Sequence, residues 1–272
     1  MQSLLNIYRL LFCQTIFYRL NYHVWRISLR GIGILNSEGN QITGETYFLQ
    51  FLSQKKKIKT VVDVGANAGG YSEEVHKYIP EAKIYAVEPH PETFKRMKKR
   101  LIGKAYQFRN LGMGKKNGRA TLFDFADDAE LKHTQPTSTL ASTVKPVITS
   151  FHGQKAQSYA FPMQTLASFA EKEMLDVIDL LKIDTEGNEH DVLIGAASLL
   201  KKNKIRFIQF EFNEMNVYAG TFFKDFIDLL PGYTFYRLMP HGFYPMGPYK
   251  PSTHEIFAFQ NILAVPEGES IE

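Results

Sequence analysis

The sequence predicts an α/β fold built on a mainly parallel sheet, and three observations carry that expectation. Short runs of β-branched and other apolar residues alternate with segments whose apolar positions recur at helical spacing. A glycine-rich turn, within VVDVGANAGGYSEE from Val61, joins the first such strand to the first such helix. The composition supports a sizeable core, with 44% hydrophobic and 13% aromatic residues among 272. Strand–helix alternation of this kind implies right-handed crossovers and helices on both faces of the sheet, a Rossmann-like arrangement.

Residues 1–46 read as a basic amphipathic helical segment and a linker. No acidic residue occurs before Glu38, while Arg9, Arg19, Arg26 and Arg30 supply positive charge. Leu4, Leu5, Tyr8, Leu11 and Phe12 fall at helical spacing, followed by Ile16 and Leu20. Polar interruptions make the run too short for a membrane span, and no secretory cleavage pattern follows it. A helix of this type packs on its own domain or on a second subunit, as in a homodimer, or lies peripherally on an anionic membrane face. Residues 32–46, rich in Gly, Asn and Ser, read as the linker.

The main domain is expected over residues 47–268. Its first strand is Thr60–Val64, followed by a helix over 71–79, the strand Lys83–Val87 and a helix over 91–101 with Phe94, Met97 and Leu101 inward. A third strand covers 105–110 and a fourth element 120–125. The periodicity fails from 126 to 159, and residues 126–160 read as an insertion on the acceptor side. Helices over 165–172, 189–200 and 222–230 then alternate with strands over 177–183, Ile205–Phe212, 233–238 and 262–265.

The glycine turn narrows the ligand. A dinucleotide turn has the form G-x-G-x-x-G, in which the second glycine lets the backbone reach the pyrophosphate. Here that position is Asn67, and the spacing is G-x-x-x-G-G with Asp63 two residues before Gly65. No Lys-Ser or Lys-Thr pair follows, so the turn is not a P-loop. An acid beside the turn disfavours phosphate and suits a cation, and S-adenosylmethionine carries an ammonium and a sulfonium without phosphate. Glu88 closes the second strand where a carboxylate meets the two ribose hydroxyls in such folds. The glycines alone fit any tight connection; the two acids are what favour this cofactor.

A second informative stretch is LLKIDTEGNEHDVL, residues 180–193. An apolar strand delivers Asp184, Glu186 and Glu189 at its C-terminal end, with Lys182 two residues before Asp184. The next strand repeats the device in IQFEFNE, with Glu211 and Glu214. Helix capping accounts for some of these acids, but carboxylates at two adjacent strand ends are costly unless used or paired. Methyl transfer from a sulfonium requires an aligned acceptor oxygen and a group to take its proton. Glu186 and Glu211 lead as acceptor-orienting groups or base, Asp184 stands nearer the cofactor, and His190 is a lesser catalytic candidate. His133, His152, His241 and His254 lie in loop-like segments.

These residues resemble the FkbM-type methyltransferases, which are S-adenosylmethionine-dependent O-methyltransferases. The resemblance spans about residues 47–266 and rests on DVGANAGGYS, EPHPETF, Asn110-Leu111-Gly112, Ser138-Thr139-Leu140, LLKIDTEGNE, VLIGA, IQFEFNE and NILAVP. It implies a class I methyltransferase sheet of seven strands with the last antiparallel. It also implies cofactor contacts from Asp63, Gly65, Asn67, Gly69, Tyr71 and Ser72, Glu88 on the ribose, and Asn110 or Leu111 beside the adenine. Asp184, Glu186 and Glu189 are placed around methyl donor and acceptor. The implied acceptor is a hydroxyl of a sugar, glycan, glycolipid or related natural product. The Asn188–His190 step is more polar than usual for the family, and the basic N-terminal helix lies outside the shared region.

Two other readings stay open. One is a divalent-metal-dependent O-methyltransferase of small diols, with Asp184 and Glu211 as ligands; the other is a non-catalytic binding protein that kept the fold. Asn67 argues against a nicotinamide oxidoreductase. The net charge of +4, without a long basic run among aromatics, gives no case for nucleic acid. A single cysteine, Cys13, excludes an internal disulfide and suits a cytoplasmic location. The 126–159 segment and the aromatic run 235–249 are expected to wall the acceptor site.

Overall fold

The computed structural model of the chain describes residues 2–126, 140–269 and 271. The chain begins with α1 (Gln2–Phe12), α2 (Tyr18–Gly31) and α3 (Glu45–Lys55). Strict alternation follows: β1 (Thr60–Val64), α4 (Gly70–Tyr78), β2 (Lys83–Val87), α5 (Pro91–Arg100) and β3 (Tyr106–Arg109). It is interrupted by β4 (Gly112–Met113), β5 (Gly118–Phe125) and β6 (Ala156–Gln164). It resumes with α6 (Leu166–Lys172), β7 (Ile178–Ile183), α7 (Glu189–Ile194), α8 (Ala197–Lys201) and β8 (Ile205–Phe212). Then come α9 (Met215–Ala219), α10 (Phe223–Leu229), β9 (Tyr233–Met239), β10 (Gly242–Pro245), α11 (Pro251–His254) and β11 (Gln260–Pro266).

The main sheet has the order β10-β9-β11-β8-β7-β1-β2-β3. From β3 to β8 all neighbours are parallel. The last strand, β11, enters between β8 and β9 and runs antiparallel to both. This is the α/β methyltransferase-type sheet expected, with one correction. It has eight strands rather than seven, because the chain turns back after β9 and adds the short antiparallel β10 at the edge.

Both faces of the sheet are covered, so its strands read as continuous apolar runs. The period of two sends alternate side chains to opposite cores. Val61, Ile84, Leu180 and Phe207 pack with Phe48, Leu49 and Leu52 of α3 and Val75 of α4. Val62, Val64, Leu181 and Phe210 pack with Leu166 and Phe169 of α6, Val192 of α7 and Phe226 of α10.

Several local expectations change. The fourth element, expected over 120–125, is β5 of a separate sheet ordered β4-β6-β5, in which β5 and β6 form an antiparallel ribbon. Its burial alternates weakly, so it left little pattern to read. The helix expected over 189–200 is two helices, α7 and α8, parted near Gly195. A Cβ on Gly195 would lie 2.2 Å from the Gly114 carbonyl oxygen, so the close approach of the two backbones requires glycine there. Residues 32–46 are tied to the domain: Ile34 is fully buried and the Leu35 amide donates to the Phe259 carbonyl. His133, Ser138 and Thr139 lie outside the described residues.

The N-terminal segment is two helices rather than one. A short 3-10 turn at Thr15–Phe17 separates them. Tyr8 Oη donates to Asn21 Oδ1, and Asn21 Nδ2 donates to the Phe12 carbonyl, which holds the pair together. α1 buries no residue and α2 buries only Leu29, so this segment does not pack broadly on its own domain.

The glycine turn ties three strand ends. The Gly65 and Ala66 amides both donate to the Val87 carbonyl of β2, and the Asp184 amide after β7 donates to Val64 of β1. Gly65 sits at φ +82, and a Cβ there would come within 1.7 Å of the Asp184 carbonyl oxygen. A backbone atom cannot yield as a side chain does. Gly65→Ala is therefore expected to cost more than about 2 kcal/mol, read from the denaturant midpoint. A variant as stable as the parent protein would contradict this packing.

Candidate functional site

The chain runs outward from β1 through β2 to β3, then returns to the other side of β1 with β7 and β8. Ligands of open α/β sheets bind in the crevice that such a reversal leaves at the C-terminal strand ends. A cavity lies there, and Gly65, Asn67, Glu88, Leu111, Asp184 and Glu186 are on its wall. Leu111, Met113, Leu122 and Phe161 make one side of it apolar.

Glu88 is fixed by two backbone donors, the Asn67 amide at 2.9 Å and the His90 amide at 2.7 Å. Burial raises its pKa to about 7 against the pull of those amides. Asn67 takes the left-handed conformation, φ +49, at the turn. Its side-chain oxygen is buried and has no hydrogen-bond partner among the described residues. A carboxylate, an unpaired acceptor and an apolar wall fit a ligand with ribose hydroxyls, N–H donors and an adenine ring.

The other expected cofactor residues stand behind this wall. Asp63 accepts a 2.6 Å hydrogen bond from Ser72 Oγ at the start of α4, and burial raises its pKa to about 6. Tyr71 Oη donates to Gln209 Oε1. Gly69 caps α4 against Leu101. Asn110 is exposed and donates to the Glu88 and Pro89 carbonyls, bracing the end of β2, while its neighbour Leu111 is on the cavity. Of the cofactor set, Gly65, Asn67, Glu88, Leu111 and Asp184 thus meet on one surface. Asp63, Gly69, Tyr71, Ser72 and Asn110 do not reach it.

Asp63, Lys182 and Gln209 share one register row across β1, β7 and β8. Lys182 is nearly inaccessible, and three carboxylates from three segments surround its ammonium. Glu45 Oε1 and Asp184 Oδ2 are each 3.5 Å away and Glu211 Oε1 is 3.8 Å away. Burial opposes the charge, but Asp184, Glu45 and Glu211 hold the Lys182 pKa well above its usual value. Gln209 Nε2 donates to Glu45, which closes the network under α3 and α4.

A second cavity opens beyond the first. Its walls include Asp184, Glu186, Glu211 and Glu214 from the domain and Arg26 and Arg30 from α2. Asp184 and Glu186 border both cavities. Glu186 sits at φ +55, and burial together with Asp184 and Glu189 raises its pKa well above the usual carboxylate range. Glu211 is raised likewise, by burial and then by Asp184. Glu189 turns away from both cavities. Its carboxylate accepts from the Thr185 amide, Thr185 Oγ1 and the Gly187 amide, and so holds the loop that presents Asp184 and Glu186.

The histidines are placed elsewhere. The His190 ring packs against Phe226 of α10 and lines neither cavity. His254 is buried beside Phe223 and Tyr249, His241 is exposed, and His152 sits against Phe125 and Phe151. Nor does the aromatic run 235–249 line either cavity: Phe243 packs on Tyr47, Phe48 and Phe51 of α3. Leu140, Ala141 and Thr143 do reach the cavities, and Ser142 Oγ donates to the Glu186 carbonyl. Glu45, Arg26 and Arg30 were not legible as site residues. A lysine inside the apolar run LLKI was the one available signal, because a buried cation requires partners.

The chain matches the model of the methyltransferase FkbM domain over residues 63–236. It is 23% identical over 192 residues to the 2-O-methyltransferase NoeI of Sinorhizobium fredii, covering 69% of this chain and 77% of that protein. Among solved structures it is similar to a precorrin-6y C5,15-methyltransferase from Geobacter metallireducens, at 11% identity and a TM-score of 0.39, covering 81% of this chain and 88% of that one. It is also similar to the plantazolicin methyltransferase BpumL in complex with SAH, at 12% identity and a TM-score of 0.40, covering 94% and 91%.

Two outcomes follow from the electrostatics. Lys182→Met leaves three carboxylates facing one another and is expected to cost roughly 3–5 kcal/mol in urea unfolding; a loss below 1 kcal/mol (about the size of an exposed pair) would show the cluster to be unimportant. Glu88 binds its proton more tightly folded than unfolded, so its contribution to stability falls as pH rises from about 4.5 to about 7. Glu88→Gln should flatten that decline in the thermal midpoint of the cofactor-free protein, whereas an unchanged slope would remove Glu88 as its source.

Proposed function

This chain belongs to the FkbM methyltransferase family and uses S-adenosylmethionine; from that premise we propose that it methylates a hydroxyl of a sugar, glycan, glycolipid or related natural product. The observation that carries the reading is the pair Asp184 and Glu186, which borders both the cofactor-type cavity and the acid-lined cavity beside it. A group bound in one is met by a group bound in the other at these two side chains.

The residues divide as follows. Gly65, Asn67, Glu88, Leu111 and Asp184 hold the cofactor, while Asp63, Gly69, Tyr71, Ser72 and Asn110 shape the turn and strand ends behind them. The bound cofactor supplies an electrophilic methyl group. Glu186 takes the proton of the acceptor hydroxyl, and the burial and neighbouring Asp184 that raise its pKa above the usual carboxylate range make it a stronger base than an exposed carboxylate. Glu211 and Asp184 accept hydrogen bonds from neighbouring hydroxyls, which orients a polyol for in-line attack. His190, packed on Phe226, takes no part. The relative's name, 2-O-methyltransferase, supports oxygen as the acceptor atom. Asp184 and Glu211, the pair weighed as metal ligands, already share the Lys182 ammonium, which favours a reaction without a divalent ion.

Glu186→Gln should bind S-adenosylhomocysteine in calorimetry as the parent protein does, yet lose at least about 100-fold in single-turnover methyl transfer to a glycan extract. Undiminished turnover would remove Glu186 as the base. Isotopic methyl label recovered on nitrogen or carbon rather than on a sugar oxygen would overturn the acceptor class.

A further inference from the structure

α1 and α2 present a large apolar surface that the domain does not cover. Leu10, Ile16 and Ile27 are 77%, 80% and 69% exposed, and Leu4, Ile7, Leu20, Val24 and Trp25 are also open to solvent. α1 buries none of its eleven residues. A helix that short is marginal in water without a partner. No described helix is long and apolar enough to cross a membrane.

Charge identifies the partner. Residues 1–37 contain no acid. Arg30 is paired with Glu38, but Arg9, Arg19 and Arg26 have no ion pair among the described residues. On α2, Arg19, His23, Arg26 and Arg30 recur at i, i+4, i+7 and i+11 and form one stripe. Leu20, Val24 and Ile27 border that stripe on one side, and Tyr18, Tyr22 and Trp25 on the other. The same helical surface of a second copy would bring the same cations against these with no counter-charge. An anionic lipid surface supplies what both sets need: negative headgroups for Arg9 and Arg19, which line neither cavity, and an acyl boundary for the apolar and aromatic side chains.

We propose that α1 and α2 form an interfacial anchor that docks the enzyme on anionic membranes. α2 also lines the acid-walled cavity through Arg26 and Arg30. Docking therefore brings the mouth of that cavity to headgroup level, where an acceptor carried on a lipid would stand.

Trp25 is the only tryptophan in the chain, so its fluorescence reports this surface without interference. The full-length protein is titrated with vesicles of phosphatidylcholine containing phosphatidylglycerol, and with vesicles of phosphatidylcholine alone. The proposal expects a blue shift and quenching by brominated acyl chains with the anionic vesicles, both weakened by salt. Arg9→Gln and Arg19→Gln, which lie outside the cavities, should each weaken binding roughly fivefold. Leu10→Asp combined with Ile16→Asp should abolish it while S-adenosylhomocysteine binding persists as proof of folding. Equal, salt-independent binding to neutral vesicles would overturn the proposal. So would an unmoved Trp25 spectrum with vesicles, or a concentration-dependent dimer that buries Trp25 in their absence. None of these readouts depends on methyl transfer, so failure here leaves the catalytic assignment standing.

Discussion

The structure turns on one buried cation. Lys182 lies near the C-terminal end of β7, out of contact with solvent, and it is held there by Glu45, Asp184 and Glu211. A lone ammonium at that depth would cost several kcal/mol, and three carboxylates at this spacing would repel one another. Each solves the other's problem. The arrangement joins α3, β7, the loop after β7 and β8, so the covering helix, the sheet and the acid-lined cavity form one electrostatic unit.

The site inherits its geometry from that unit and from the glycine turn. The turn binds the ends of β1, β2 and β7 together through backbone hydrogen bonds, which opens the crevice at the point where strand order reverses. The loop after β7 is then fixed from within by Glu189, whose carboxylate is consumed by three donors of that loop. Glu189 acts as a splint, and Asp184 and Glu186 are the groups it leaves free to face the two cavities. Carboxylates close in sequence thus have different roles, set by where their oxygens find hydrogen-bond donors.

The N-terminal helices stand largely outside the core of the domain. They take almost nothing from its core, yet α2 lends Arg26 and Arg30 to the lining of the acid-lined cavity. That cavity therefore carries both carboxylates and guanidinium groups on its lining, and the helix that supplies its arginines also exposes Leu20, Val24, Trp25 and Ile27.

Local pattern alone made much of this chain legible, since periodicity and turn chemistry act over a few residues. Thr60–Val64, Lys83–Val87 and Ile205–Phe212 were readable strands because a parallel sheet covered on both faces demands continuous apolar runs. Asn67 in place of glycine, with Glu88 after the next strand, was enough to direct the turn away from pyrophosphate. Other features had no local signature. The edge strand β10, the β5–β6 ribbon, the removal of His190 to α10 and the union of Glu45 with Lys182 each depend on what the chain meets after it has folded. By itself, the sequence determined the sheet, the turn and the identity of the acids. Only the tertiary structure decided which acids face a cavity, because burial and pairing are settled between residues as far apart as Glu45, Lys182 and Glu211.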